Sequence, residues 1–367
     1  MTNQTITKPR KMRLITIFLI ALTIVFVSCE KDTDTPLDPV YGPVFTKQFG
    51  EVTANVQELS FNSNGFKIVG DFRTPVSGET FPAIIMVHGS GSATRHGAVD
   101  FETLIEIFIR NGYAVLSWDK PGSGESTGNF TQGYTITERS EILTDAVKVL
   151  TENNSILNSS IGLWGISQAG WVMPMALKKT SNIAFMNVVS GGAEDGVEQM
   201  AYQVGQVVAC DGGTIEQVND AEIYWVQMCK ATEYSEYKEA ADILVSIPGV
   251  SEYTGLSVSE ENQWNPWSSE IDAFWDPIEV IEQTTIPMLV CFGEHDKNID
   301  PVQGAQAYET ALQKAGNQNN IIVTFQGAGH ILTPALTGCY NENVSSEWIS
   351  EYLDTLEDWV SNQNPLK

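Results

Sequence analysis

Two serines in this chain are flanked by small residues, and either could serve as a nucleophile. Ser126 lies in the segment GESTG, and Ser167 lies in the segment GISQA. A serine hydroxyl is a weak nucleophile at neutral pH, so it needs a base within hydrogen-bond reach and N–H donors that face the developing oxyanion. A sharp turn between a strand and a helix provides this setting, because it exposes the hydroxyl and places the next backbone N–H at a helix start. The segments on either side of each serine therefore decide between them.

The local context favours Ser167. The apolar segment IGLW before it predicts a strand, and QAGWVMPMAL after it has helical spacing. Gly165 and Ala169 are small enough for a tight turn between these elements. Ser126 lies in the polar, glycine-rich segment DKPGSGESTGNFTQG with no strand leading into it, which favours a solvent-exposed loop. Ser90, in VHGSG, follows a strand-like run but is followed by further loop residues, so the sequence predicts Ser167 as the nucleophile.

The elements that would position these residues alternate between strands and helices. The segment VQELSFNSNGFKIVGDFRTP predicts a hairpin with its turn at Asn64-Gly65. Apolar runs such as FPAIIMVHG, YAVLSWD and SIGLWG predict strands, and segments of helical spacing separate them. This alternation predicts an α/β fold with a mostly parallel sheet that helices cover on both faces. It occupies residues 56–192 and resumes over residues 286–367.

Residues 193–285 interrupt this alternation. They show helical spacing without a clear strand and end in the aromatic-rich segment NQWNPWSSEIDAFWDP. We predict a helical insertion that divides the α/β core into two parts. Its aromatic residues could line a substrate pocket, although aromatic residues on helices more often form their own core. These residues are Tyr202, Tyr224, Trp225, Trp264, Trp267, Phe274 and Trp275.

The order of these segments resembles the α/β-hydrolase family from about residue 56 to the C-terminus. The segment HGSG resembles the oxyanion loop of that family, which implies that the backbone N–H groups of Ser90 and Gln168 hold the oxyanion. The segment DKPGSGESTG is similar to the family's D-x-R-G-x-G-x-S loop, with Pro121 in place of the arginine, which implies a structural role for Ser126. The resemblance also implies that residues 193–285 form a cap between the sixth and seventh strands.

The same resemblance implies a catalytic acid after the seventh strand and a catalytic base after the eighth. The segment LVCFGEHDKNIDP places Asp296 in the family's G-x-x-D pattern, with Glu294 and Asp300 as weaker candidates. The segment FQGAGHIL places His330 at the position of the base. The implied triad of Ser167, Asp296 and His330 would attack an acyl carbonyl, form an acyl-serine and release it to water. We expect neither a metal nor an organic cofactor.

Hydrolysis of a small carboxylic ester or related acyl compound is the function that this reasoning favours. A serine peptidase, a thioesterase and an acyltransferase share the same triad and stay open. A surface-anchored, non-catalytic glycan-binding lipoprotein is an alternative of a different class, but such a protein has no need of an ordered serine, acid and histidine. Arg95, beside the HGSG segment, could bind a substrate carboxylate or could be solvated.

The N-terminal residues predict export. Four basic residues between positions 8 and 13 precede an uncharged apolar run from Leu14 to Val27. The run is shorter than the ~20 residues that a membrane-spanning helix needs, and it ends at Ser28-Cys29. This order resembles the signal of bacterial lipoproteins, which implies a signal peptide over 1–28, a lipid on Cys29 and a polar tether over 29–55. We therefore expect a periplasmic or outer-membrane lipoprotein, with an uncleaved signal anchor or ordinary cleavage nearby as alternatives.

Charge and cysteine spacing limit the possible partners. The chain has 46 acidic and 20 basic residues, a formal net charge of −26, which argues against binding to nucleic acid. The cysteines form no C-x-x-C pair or His/Cys cluster, which argues against a zinc site. In an oxidising compartment Cys210 and Cys229, both in the predicted insertion, are the favoured disulfide pair, with two free thiols as the alternative. Cys291 is expected to be a buried thiol within its strand.

Overall fold

The computed structural model describes residues 37–97, 100–129, 136–267, 272–342 and 345–367. The predicted signal peptide over 1–28 and the lipid attachment site at Cys29 lie outside the described residues. Among the helices that are described, none combines the length and the apolar character that crossing a bilayer requires.

Nine strands form one sheet in the described part of the chain. They are β1 Val40–Phe49, β2 Val52–Ser63, β3 Phe66–Pro75, β4 Phe81–Val87, β5 Ala114–Trp118, β6 Ile156–Ile166, β7 Phe185–Val189, β8 Met288–Gly293 and β9 Asn320–Phe325. Their order across the sheet is β1-β2-β3-β5-β4-β6-β7-β8-β9. The pairs that involve β1, β2 and β3 are antiparallel, and all other pairs are parallel. The predicted α/β class with a mostly parallel sheet is confirmed.

The described residues form ten α-helices, and those outside the insertion cover both faces of the sheet. The ten helices are α1 Phe101–Arg110, α2 Ile136–Thr151, α3 Ala169–Leu177, α4 Gly196–Cys210, α5 Ile215–Lys230, α6 Tyr234–Ser246, α7 Val250–Thr254, α8 Ile278–Ile281, α9 Pro301–Lys314 and α10 Ser350–Gln363. Apolar side chains of α2, α3 and α9 pack in one core cluster, and those of α1 and α10 pack in a second. Every residue of β4 is buried, because a parallel strand between two helical layers has no solvent-facing side.

The N-terminal strand corrects the predicted tether over residues 29–55. Residues 40–55 are not a tether, because β1 pairs with β2 along most of its length and Phe49 and Ala54 are buried. Most other positions of β1 are exposed, as expected for an edge strand, so its sequence lacks the continuous apolar run by which the inner strands are recognised. Because β1 adds one strand to the predicted number, the insertion lies between the seventh and eighth observed strands rather than between the sixth and seventh.

The predicted hairpin over β2 and β3 is confirmed. Ser63 pairs with Phe66, and the two residues between them, Asn64 and Gly65, have φ angles of 51° and 78°. Two-residue turns with positive φ at both positions match the right-handed twist of the strands they connect, and Asn-Gly is the pair that adopts them most readily.

The described residues of the insertion are helical from α4 to α7 and contain no strand. These helices have a core of their own, against which Tyr224 and Trp225 pack, and Trp264 stacks on Tyr237 in a smaller cluster. Three of the seven aromatic residues thus serve as the insertion's own core. At its end, Trp275 and α8 pack against the main α/β core instead.

The predicted Cys210–Cys229 pair is wrong. The disulfide joins Cys210, the last residue of α4, to Cys339 in the segment between β9 and α10, with a Cα–Cα distance of 5.7 Å. Cys229 on α5 is buried and free, and Cys291 is the buried thiol that the sequence predicts. Tertiary packing places Cys339 beside α4, where the Tyr340 hydroxyl also donates a 2.6 Å hydrogen bond to Asp211.

Candidate active site

Ser167 lies on a sharp turn between β6 and α3. Its φ angle is +57°, in the left-handed region that residues with a side chain rarely adopt. Two 2.8 Å hydrogen bonds hold the turn, one from its N–H to the Val189 carbonyl and one from the Gly170 N–H to its own carbonyl. A Cβ atom at Gly165 would lie 2.6 Å from Cβ of Ala169, so the turn requires glycine there. The strand-turn-helix setting that the sequence predicts for Ser167 is therefore confirmed.

Asp296 and His330 follow β8 and β9 and contact each other. Nδ1 of His330 lies 3.0 Å from Oδ1 and 2.9 Å from Oδ2 of Asp296. The Asp296 side chain is buried, and Oδ1 also accepts hydrogen bonds from the backbone N–H groups of Asn298 and Ile299. A carboxylate in this position accepts a hydrogen bond from Nδ1–H of the imidazole, which keeps the proton on Nδ1 and leaves Nε2 as the basic nitrogen.

Topology brings Ser167 to the same edge of the sheet as this pair. Strands β6 to β9 are neighbours and run parallel, so their carboxyl ends meet at one edge. Neighbouring strands lie about 4.8 Å apart, so the ends of β6 and β8 are separated by about 10 Å, which a histidine from the loop after β9 can bridge. The Ser167 hydroxyl makes no hydrogen bond to another described residue, and such contacts are often long before substrate binds.

The two weaker acid candidates have other contacts. Asp300 is the N-cap of α9, where its Oδ1 accepts hydrogen bonds from Val302 and Gln303 N–H. Glu294 is 41% exposed at its side chain and accepts a hydrogen bond from Gly327 N–H. Neither is hydrogen-bonded to His330. Within the described ranges, no three His, Cys, Asp or Glu side chains are grouped so as to hold a metal ion.

The HGSG segment lies against the turn that carries Ser167. A Cβ atom at Gly89 would lie 3.2 Å from Cβ of Ser167 and 3.3 Å from the Ile166 carbonyl oxygen, so the two loops approach closely and leave little room for a side chain here. The backbone N–H groups of Ser90 and Gln168, predicted as oxyanion donors, donate to no acceptor in the part of the chain that the structure describes. Both are therefore available to an oxyanion beside Ser167.

His88 anchors the start of this loop. Its Nε2 lies 2.8 Å from the Trp118 carbonyl, and its ring stacks on Phe101 with a centroid distance of 5.1 Å. Burial lowers the pKa of His88 to about 3, so the imidazole is neutral and donates to the carbonyl. These contacts give His88 a structural role at the start of the loop.

Two side chains that the sequence analysis considered as functional candidates have structural roles. Ser126 is buried rather than solvent-exposed; its hydroxyl donates to the Asp119 carbonyl at 2.6 Å and accepts from Val69 N–H at 2.9 Å. Arg95 is also buried and pairs with several carboxylates, so it is not available to a substrate carboxylate. Its partners are Glu58, Asp71, Asp119 and Glu125.

The first helix of the insertion contacts the loop that carries Asp296. The Tyr202 hydroxyl donates a 2.9 Å hydrogen bond to the Asp296 carbonyl, and the Gln199 side chain donates to the Asn298 carbonyl. The disulfide between Cys210 and Cys339 ties the end of the same helix to the segment after His330. Helix α4 therefore contacts the loop that carries Asp296 and is linked to the segment that follows His330.

Two buried basic residues near the oxyanion loop carried no signal in the sequence. Lys120 donates 2.6 Å hydrogen bonds to the carbonyls of Gly89 and Gly91, and Arg139 donates to the His88 carbonyl and to Oε1 of Gln168. Lys120 lies in the loop after β5 and Arg139 near the start of α2. In the sequence both look like ordinary surface cations, and only the folded chain shows that they are buried.

Comparison with known proteins identifies the family. Residues 64–331, which include Ser167, Asp296 and His330, match the family described as X-Pro dipeptidyl-peptidase (S15 family). The chain belongs to the S15 peptidase family. Thiohydrolase aneE of Aspergillus aculeatus is 34% identical to this S15-family protein over 89 residues, which are 24% of this chain and 27% of that one. The match thus spans about a quarter of that relative's length.

Solved structures of hydrolases share the fold of this S15-family protein. The alignment with an acetyl xylan esterase from Paenibacillus sp. R4 covers 89% of each chain, at 13% identity and with a TM-score of 0.53. The alignment with an esterase of Pyrococcus furiosus covers 88% of this chain and 99% of the esterase, at 14% identity and with a TM-score of 0.52. The fold is that of the α/β hydrolases. Family and fold together identify a serine hydrolase of the α/β-hydrolase type.

Proposed function

We propose that this protein hydrolyses carboxylic esters of small acyl groups through an acyl-serine intermediate on Ser167. The observation that carries the proposal is the contact between Asp296 and His330 at the same sheet edge as the positive-φ turn of Ser167. A serine, a base and an acid in this arrangement provide the groups that acyl transfer requires.

The proposed reaction proceeds in two steps. Nε2 of His330 takes the proton of the Ser167 hydroxyl as Oγ attacks the acyl carbonyl, and the N–H groups of Ser90 and Gln168 hold the resulting oxyanion. Collapse of this intermediate breaks the ester bond, and the imidazolium returns its proton to the leaving alcohol. A water molecule, deprotonated by His330, then attacks the acyl-serine and releases the carboxylic acid. Asp296 stabilises the imidazolium in both steps.

Ester cleavage is favoured because alcohols leave with little assistance. An amine leaving group depends more strongly on protonation, which in a triad comes from the same histidine, so a site with His330 as its acid should cleave an amide more slowly than the ester of the same acyl group. The insertion, whose helix α4 contacts the acid loop, also favours small and medium-sized substrates over folded proteins. An apolar pocket discriminates by ~1–3 kcal/mol per methylene, or about 10- to 200-fold, so we expect activity to fall by a factor of this size for each methylene that the pocket cannot hold.

Peptide hydrolysis is the second candidate, because the family match over residues 64–331 is to a peptidase family. The two candidates are separated by kcat/KM for p-nitrophenyl esters and for dipeptidyl anilides with proline at the second position. A thioester with the same acyl group as the best ester completes the panel. Higher kcat/KM for the esters supports the first proposal, and higher kcat/KM for the anilides supports the second.

We also propose that the protein is exported and anchored through a lipid on Cys29. The Cys210–Cys339 disulfide supports this location, because such bonds form and persist in oxidising compartments. The test is incorporation of radiolabelled palmitate in bacterial cells that express the full chain. The label should be lost when Cys29 is replaced by alanine, and equal labelling of both proteins would contradict the proposal.

A further inference from the structure

The loop that carries Ser90 is held by two buried basic side chains, Lys120 and Arg139, each only 7% exposed. Nζ of Lys120 donates to the carbonyls of Gly89 and Gly91, on either side of Ser90. The Gly89 carbonyl and the Ser90 N–H belong to the same peptide group. A hydrogen bond to this carbonyl therefore fixes the direction of the Ser90 N–H and polarises it toward the oxyanion.

Arg139 joins the two halves of the predicted oxyanion hole. One nitrogen of its guanidinium donates to the His88 carbonyl at the start of the oxyanion loop, and another donates to Oε1 of Gln168, whose backbone N–H is the second predicted donor. The planar fork of arginine suits this bridge, because its donors have a fixed geometry. The distance between the Ser90 and Gln168 donors thus depends on Arg139.

The charge environment of both side chains is unusual for this acidic chain. Arg95, which lies nearby, has four carboxylate partners, whereas no carboxylate among the described residues pairs with Lys120 or Arg139. A buried cation without a counter-ion costs folding free energy, so the retention of the Arg139 guanidinium at a site where negative charge develops favours a role in catalysis.

Deprotonation of Lys120 does not remove its contacts. Burial and the neighbouring Arg139 lower the pKa of Lys120 to about 6, but a neutral amine still has two N–H donors for the two carbonyls. Burial lowers the pKa of Arg139 to about 10, so its guanidinium is charged at neutral pH.

We infer that Lys120 and Arg139 are positioning residues of the oxyanion hole. Lys120 orients the Ser90 N–H through the Gly89 carbonyl, and Arg139 fixes the oxyanion loop against Gln168 and adds positive charge behind both donors. This inference rests on the proposed acyl transfer at Ser167. Because both residues act through the donors, their effect should appear in transition-state stabilisation rather than in substrate binding.

The test compares Lys120→Met and Arg139→Met with Lys148→Met, which removes an exposed lysine from the same helix as Arg139. Loss of a direct oxyanion donor costs about 10²–10³-fold in kcat, so a residue acting one peptide away should cost about 10- to 100-fold. We expect this loss in kcat for the best ester, with KM within about threefold and no change for Lys148→Met. Arg139→Lys should recover part of the loss compared with Arg139→Met, since it keeps the charge but has a single nitrogen in place of the two that reach Gln168 and His88.

Inhibition by a mimic of the tetrahedral intermediate distinguishes a role in the oxyanion hole from a purely structural role. An alkyl trifluoromethyl ketone binds a serine hydrolase as an anionic adduct, so its Ki should rise by the same factor as kcat/KM falls. Urea unfolding of each variant confirms that the assayed protein is folded, and Lys120→Met and Arg139→Lys suffice if Arg139→Met does not fold.

Two results would overturn the inference. If the unmodified protein turns over esters but the folded variants keep kcat and Ki within about twofold, Lys120 and Arg139 do not serve the oxyanion hole, and the proposed function stands. If the unmodified protein neither turns over esters nor reacts with a fluorophosphonate, the proposed function fails and this inference fails with it.

Discussion

Replacement of Asp296 by asparagine should slow ester turnover far more than replacement of Asp300. In the native protein Oδ1 of Asp296 accepts backbone N–H bonds from Asn298 and Ile299, and asparagine can keep both of these contacts through its own oxygen. Its NH₂ group then faces Nδ1 of His330, which must become the acceptor. The imidazole proton moves to Nε2, the nitrogen that has to accept the serine proton.

The wrong tautomer should lower kcat by about 10³–10⁴-fold with the fold intact. This corresponds to about 4–5.5 kcal/mol of transition-state stabilisation. Asp300→Asn is the matched control, because asparagine caps a helix as well as aspartate does. Its only expected cost is about 0.3–1 kcal/mol of stability from the lost charge at the start of α9.

The assay is kcat/KM for a short-chain p-nitrophenyl ester at pH 8, together with urea unfolding of both variants. If Asp300→Asn loses the larger share of activity while both proteins are folded, the acid has been assigned to the wrong residue. Similar small losses in both variants would show that the base is not oriented by either carboxylate.

Three further predictions concern the scaffold. Cys210→Ser, which removes the Cys210–Cys339 disulfide, should lower the free energy of unfolding by about 2–5 kcal/mol. Peptide mapping without reduction should show Cys210 linked to Cys339, and a link between Cys210 and Cys229 would contradict the structure. The neutral, buried His88 has a lowered pKa, so the unfolded chain binds an additional proton between about pH 6.5 and pH 3, and stability should fall as pH falls through that range. His88→Asn should show a smaller loss between pH 7 and pH 5 in urea unfolding, and an equal loss in both proteins would refute this cause. Gly165→Ala should destabilise the fold by about 1–3 kcal/mol, because its new methyl group would overlap Ala169; unchanged stability would refute the tight-turn argument.

The positions of Ser167, Asp296 and His330 could be predicted because each depends on a local pattern. Each follows a short apolar run that forms an inner strand, and inner strands of a parallel sheet are recognisable by their continuous apolar character. The order of these runs along the chain, together with the family resemblance, then placed all three residues at one edge of the sheet.

Features that depend on tertiary packing could not be predicted in this way. The edge strand β1 is largely solvent-exposed, so its sequence resembles a polar tether. The partner of Cys210 is 129 residues away in sequence, and only the packing of the segment after His330 against α4 brings Cys339 to it. Lys120 and Arg139 acquire their contacts from burial against the oxyanion loop, which no local pattern reveals.

The identity of the nucleophile is tested most directly by fluorophosphonate labelling followed by tryptic peptide mapping. Ser167 lies in the tryptic peptide 149–178 and Ser126 in the peptide 111–139, because the Lys120-Pro121 bond resists trypsin. The account predicts one adduct, on Ser167 in peptide 149–178, and no adduct after Ser167→Ala. An adduct on peptide 111–139, or undiminished labelling of the Ser167→Ala protein, would contradict it.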